Sequence, residues 1–152
     1  MKYDIVVEPA QTELIAAVRA KVPISGIAQA WKPALDQVWA FLKINAELRP
    51  GHNFFLYHHP EHRNEAMNID FGVQVAFPFE PANQVHCVRT PAGEVARTLH
   101  VGPYDRLRDA HDAIHAWCAA QNRRIGQASW EIYGDWNSDP DKLETTIKYL
   151  LA

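Results

Sequence analysis

Apolar and polar residues alternate most cleanly from Met67 to Pro78. Met67, Ile69, Phe71, Val73 and Val75 point one way, and Asn68, Asp70 and Gln74 the other. A period of two marks a strand with one covered face. Asp4–Glu8 is a shorter β-branched run ended by Pro9, and Asn53–His58 is a strand by composition. Glu13–Val22 is ambiguous, because Leu14, Val18 and Val22 would also suit a helix. Pro9 and Pro23 leave room for only about three turns, so a strand is preferred. From Ser25 the period lengthens: Ile27, Trp31, Leu35, Val38 and Leu42 recur at helical steps, with Trp39 and Phe41 flanking that stripe. Pro33 falls inside it, and an interior proline is costly. The expected resolution is a break near Trp31, with Pro33 in the first turn of the main helix.

The second half repeats the order. Val85–Arg89 and Glu94–His100 read as strands around the turn Thr90–Gly93, after a linker at Phe79–Asn83. A helix is expected from Tyr104 to Asn122, with Leu107, Ala110, His111, Ile114, Trp117 and Cys118 on its inner face. Ser129–Trp136 is an aromatic strand, followed by a polar turn and a last strand from Leu143 to Leu150.

The order strand, strand, helix, strand, strand thus occurs twice. An offset of 81 carries Glu13 to Glu94 and Val18 to Leu99. An offset of 76 carries Phe54 to Trp130, Tyr57 to Tyr133, Met67 to Leu143 and Phe71 to Ile147. The fold class expected is α+β: one domain over residues 1–152, with halves 1–79 and 84–152. Two tandem ββαββ units would form one antiparallel sheet carrying two helices on one face, with a groove between the helices. Phe55, Tyr57, Tyr133 and Glu131 would line that groove.

Glu131 is the residue that asks for an explanation. It shares a strand face with Ser129 and Tyr133, while Trp130 and Ile132 take the other face. Burying a carboxylate unpaired costs several kcal/mol, so it needs water, a hydrogen-bond partner or a cationic ligand. The repeat places Phe55 at the equivalent position, so the second half alone carries the charge there. Aromatic walls around one carboxylate suit a planar or cationic organic molecule.

Composition narrows the classes. With 152 residues, 47% hydrophobic and 22% charged, the chain is long enough to bury a core and is not a disordered segment. A net charge of −3 and a pI near 6.2 give no basic field for nucleic acid. No apolar run approaches the roughly 18–20 residues of a membrane span. The N-terminus has no signal-peptide pattern, and Cys87 and Cys118 form no CxxC, so a reducing cytoplasm is the expected location. His111 and His115, four apart on one helix, could present two imidazoles to a metal, but Asp112 follows His111 and no third ligand is evident. The His58–His62 cluster reads as a solvated loop and Cys118 as a small core residue. Neither thiol has a paired base, and no cofactor is expected.

His100-Val101-Gly102-Pro103-Tyr104-Asp105-Arg106-Leu107 resembles the H-x-G-x-Y-x-x-L lead-in to the second helix of the GyrI-like effector-binding domains. These domains also serve as ligand sensors in AraC- and MerR-type regulators. Trp117, the E-x-Y strand Glu131-Ile132-Tyr133 and Asp139-Pro140 before the last strand match the same family. The resemblance covers roughly Val85 to Leu151, and reaches the first half only through the repeat. There Lys21-Val22-Pro23-Ile24-Ser25-Gly26 replaces the lead-in motif.

The resemblance implies a pseudo-twofold domain that binds hydrophobic, often cationic molecules, with Glu131 at the pocket floor and Tyr104, Tyr133 and Tyr149 as aromatic neighbours. The ligand-contacting set expected is Glu131, Tyr133, Tyr104, Tyr57, Phe55, Trp39 and Tyr149. Three functions stay open. One is a ligand-sensing or drug-sequestering module without enzymatic activity. The second is a hydrolase of strained electrophilic natural products, such as cyclopropane-bearing compounds, using Glu131. The third is a protein-interaction role resembling DNA gyrase inhibition, which needs a protein partner. The chain shows no helix-turn-helix, so direct nucleic-acid binding is not expected. Its oligomeric state is not legible.

Overall fold

The computed structural model describes residues 2–62 and 65–152. Ten elements frame them: β1 Val6–Ala10, β2 Leu14–Val22, α1 Ile27–Lys43, β3 Asn53–His58, β4 Met67–Val75, β5 Val85–Arg89, β6 Gly93–Val101, α2 Leu107–Ala120, β7 Ile125–Tyr133 and β8 Glu144–Leu151. The class is α+β. The elements gather into two compact units: Thr12–Thr90, and the residues up to Gln11 together with Pro91–Ala152. We call these the inner and the outer unit, after their place in the sequence.

In the inner unit the antiparallel strand order is β5-β2-β4-β3, and α1 packs on β2 and β4. Leu35, Val38 and Leu42 of α1 are buried, as are Ala16, Val18, Phe55, Ile69, Phe71 and Val73 from the strands. In the outer unit the order is β1-β6-β8-β7, with α2 on β6 and β8. Its core joins Tyr3, Ala96, Ala110, Ile114, Cys118, Ile147, Tyr149 and Leu151.

Each unit takes an edge strand from the other half of the sequence. β1 pairs with β6, Val7 standing opposite Ala96, and Arg97 ion-pairs with Glu8 across the same ladder. β5 pairs with β2, His86 standing opposite Ala17.

Strand registers match between the units. Phe55 stands opposite Phe71 in β3–β4, and Glu131 opposite Ile147 in β7–β8, so adding 76 to the first pair gives the second. Ile15 faces Gln74, and Val95 faces Leu150; Gln74 plus 76 is Leu150, but Ile15 plus 80 is Val95. The shift between β2 and β6 is therefore 80 rather than the expected 81. The same 80 carries Pro23 to Pro103, each preceding a single 3-10 turn, Ile24–Gly26 or Tyr104–Arg106, that leads into its helix. The first half thus keeps the proline and the 3-10 turn of the lead-in, but has Ala20, Val22 and Ile24 where the second half has its histidine, positive-φ glycine and tyrosine.

Two boundaries differ from the sequence reading. α1 runs unbroken through Pro33, which is exposed. The ring costs the amide hydrogen bond to the Gln29 carbonyl, and Gln29 and Pro33 both lie on the exposed face of the helix. The aromatic strand starts earlier, at Ile125, and ends at Tyr133. A register shift between Ile125 and Ser129 lets this end join β8, and a Cβ at Gly126 would stand 3.0 Å from the Leu150 carbonyl oxygen. Trp136 lies beyond the strand and is 78% exposed.

Candidate functional site

Glu131 lies two residues before the end of β7, on the side from which α2 reaches it, and only 5% of it is exposed. Its carboxylate is held on both oxygens. The Tyr133 hydroxyl donates to Oε1 at 2.6 Å, and His111 Nε2 lies 2.6 Å from Oε2. Tyr133 reaches it because residues two apart on a strand share a face. His111 reaches it from the inner stripe of α2. On the far side of the imidazole, the Tyr149 hydroxyl lies 2.6 Å from Nδ1. Burial, then the nearby Glu131 charge, raise the Tyr149 phenol well above its ordinary range. The phenol is therefore protonated at neutral pH and donates to Nδ1. The neutral imidazole then carries its proton on Nε2 and donates to Glu131, the tautomer that satisfies both contacts.

Aromatic rings surround this relay. Tyr104, in the turn before α2, is 40% exposed and meets Tyr133 edge to face, with centroids 5.5 Å apart. His111 and His115 both meet the Tyr149 ring at T-shaped angles, at 5.5 and 5.0 Å. Among the described residues no group of three or more His, Cys, Asp or Glu is placed to hold a metal ion.

The turn that presents Tyr104 is itself tied down. His100 is 1% exposed and uses both ring nitrogens: the Tyr3 hydroxyl lies 2.9 Å from Nδ1, and the Pro103 carbonyl oxygen 3.0 Å from Nε2. Gly102 has φ +146°, which a side chain would resist, and its N–H donates to the Leu143 carbonyl. In H-x-G-x-Y the histidine and glycine thus shape the turn, and the tyrosine is what the turn presents.

Of the seven residues expected to contact ligand, the structure brings Glu131, Tyr133, Tyr149 and Tyr104 together in the outer unit. Phe55, Tyr57 and Trp39 belong to the inner unit. Phe55 is 7% exposed and packs against Trp31 at 6.4 Å and Phe71 at 5.0 Å. Tyr57 is half-buried opposite Ile69, and the Trp39 indole N–H donates to Asn53 Oδ1 at 2.9 Å.

The offset of 80 that carries Ile15 to Val95 also carries Trp31 to His111. The Trp31–Phe55 contact of the inner unit is therefore replaced in the outer unit by the His111–Glu131 pair. An apolar contact and an ionisable one occupy equivalent positions on one scaffold. Sequence reasoning placed His111 on the inner face of its helix but missed its partner. The corrected offset was the signal that could have found it.

A second polar cluster was also missed. Asp70 on β4 is 1% exposed; Arg19 Nε and Nη2 donate to its two oxygens at 2.9 Å, and His58 Nε2 lies 2.7 Å from Oδ2. The alternation sets Asp70 opposite the apolar stripe of β4, and that face is covered there too. Phe54 and Leu56, on the same side of β3, are fully buried.

The sequence matches the GyrI-like small molecule binding domain over residues 1–150. The chain belongs to this family. Among curated proteins none matches it. The GyrI-like fold is shared with the C-terminal domain of EcmrR at 23% identity and TM-score 0.82, covering 100% of this chain and 99% of the other. SAV2435, solved bound to tetraphenylphosphonium, is 12% identical with TM-score 0.72, covering 98% and 94%. A hydrolase from Listeria innocua is 14% identical with TM-score 0.64, covering 99% and 91%. At these identities the likeness is one of fold. Among the described residues of this GyrI-like domain, no helix is long and apolar enough to cross a membrane.

Proposed function

We propose that this GyrI-like domain binds hydrophobic monocations, with Glu131 as the counter-charge and Tyr104 and Tyr133 as aromatic walls. The observation that carries the reading is a buried carboxylate on a covered strand face among aromatic rings. There a cation gains both charge pairing and ring attraction, and the pairing is strong because little water screens it. Phe55, Tyr57 and Trp39 stay candidates by residue type. SAV2435, a protein of the same fold, was solved with such a cation. Titration with tetraphenylphosphonium tests the reading. Glu131→Gln should weaken binding about 10–150-fold, as expected for losing about 1.5–3 kcal/mol of interaction with a charged group. Equal affinity for both proteins would rule out the role of Glu131.

The Tyr149–His111–Glu131 relay favours a second reading, hydrolysis of a strained electrophile. Glu131, oriented by His111, would take a proton from water as the water oxygen attacks the electrophilic carbon, and a tyrosine would donate to the departing group. A cyclopropane-bearing alkylator should then be turned over by wild type and not by Glu131→Gln. Stoichiometric binding with unchanged ligand would reject this reading.

A further inference from the structure

We propose that the His111–Glu131 pair exchanges a proton for a cationic ligand, so that capture of a monocation releases the proton that His111 holds. The proposal rests on the cation-binding reading above. A neutral imidazole donating to Glu131 leaves the pair with a net charge of −1, and an approaching cation meets that full charge. A protonated imidazole, at 2.6 Å from Oε2, brings the pair to zero. The geometry accommodates both states. When protonated, Nδ1–H donates to the Tyr149 oxygen across the same 2.6 Å. Proton and ligand therefore compete for one carboxylate, and each weakens the other by the same factor.

The other charges around the imidazole do not replace this coupling. On α2, Arg108 and Asp112 pair with each other at 3.9 Å and are 89% and 70% exposed, and His115 lies against the Tyr149 ring. Before α2, Arg106 pairs with Asp109 at 2.9 Å, and Tyr104 faces Tyr133. β6 brings His100, held by Tyr3 and the Pro103 carbonyl. β7 and β8 bring Glu131, Tyr133 and Tyr149. The imidazole bonds the first through Nε2 and the last through Nδ1. Imidazole is also the side chain whose ordinary titration falls between about pH 5 and 8. The His111 side chain is 21% exposed, enough for the proton to leave to water. At the equivalent position the inner unit has Trp31, which cannot titrate.

Calorimetric titration of the full chain with tetraphenylphosphonium, between pH 5 and 8 in two buffers of different ionisation enthalpy, tests the exchange. Affinity should rise with pH, by up to about tenfold per unit at the acid end. Up to one proton should be released per ligand. His111→Gln should flatten the dependence and abolish the release. In wild type, the His111 ring resonances should titrate at lower pH once tetraphenylphosphonium saturates the site. Affinity that is independent of pH in wild type, but still lost in Glu131→Gln, would overturn the exchange and leave the cation reading standing. An unchanged slope in His111→Gln would overturn the assignment to His111. Equal affinity of wild type and Glu131→Gln, or no binding at any pH, would overturn the cation reading and the exchange with it.

Discussion

Asp70 and Glu131 are both buried carboxylates held by an imidazole, yet their surroundings give them different work. Burial alone would raise the Asp70 carboxyl. Hydrogen bonds from His58 and Arg19, with the guanidinium charge, outweigh burial and hold it below its usual range. Arg19 and His58 come from the strands on either side of β4, so the cluster ties three strands of one sheet together. A depressed carboxyl contributes stability that is present above the unfolded-state value, about 3.9, and is lost as pH falls through the folded value. Asp70→Asn should therefore cost about 1–3 kcal/mol at pH 7, because Arg19 is half exposed and can turn to water. It should also lose less further stability than wild type between pH 5 and 2. Urea unfolding across that range checks both, and an equally steep acid limb in the variant would refute the assignment. Arg19→Ala should cost more at pH 7, since it leaves the buried charge with His58 alone.

At the scale of elements, most of the fold was legible where one side of a strand or helix is covered and the other wet. β4 and the stripe of α2 follow the alternation of Ile69, Phe71 and Val73 and the spacing of Ala110, Ile114 and Cys118. β7 was less legible at its start, because Gly126, Gln127 and Ala128 carry little β preference and the pairing with β8 shifts register between Ile125 and Ser129. The unbroken α1 was hidden by Pro33, whose cost depends on which way the ring faces. The candidate site was half legible. Glu131 and its tyrosines stood out as residue types, whereas the His111 contact depends on how one helix is set against one strand. Gly72 marks a further constraint of packing. Opposite Ala17 and Phe54, a Cβ there would stand 2.7 Å from the Ala16 carbonyl oxygen and 3.1 Å from the Ala17 Cβ. The oxygen belongs to a paired strand and cannot move aside. Gly72→Ala should lower stability by about 1–3 kcal/mol, measured as a shift of the urea midpoint with an unchanged slope.

For the whole molecule, β1 matters more than its five residues suggest. It closes the edge of the outer unit's sheet beyond β6, and the segment before it supplies Tyr3, the partner of His100 beneath the turn that presents Tyr104. Deleting residues 2–11 should uncover the β6 edge, loosen that turn and weaken tetraphenylphosphonium binding along with stability. A synthetic peptide of residues 2–11 added in trans should restore part of both. Urea unfolding and ligand titration with and without the peptide would show it, and a truncated chain of unchanged stability would exclude the role assigned to β1.

The exchange of edge strands also sets an order of events during synthesis. Of the described strands β1 is synthesised before the others, yet its partner β6 ends at Val101. At about 5–20 residues per second, β1 waits roughly 5–20 seconds for a partner to exist. β2 is served sooner: β4, its neighbour on one side, is complete at Val75, and β5, on the other, at Arg89. The inner unit can therefore close while the first strand is still unpaired, and the carboxylate site forms only when the last strand, β8, delivers Tyr149.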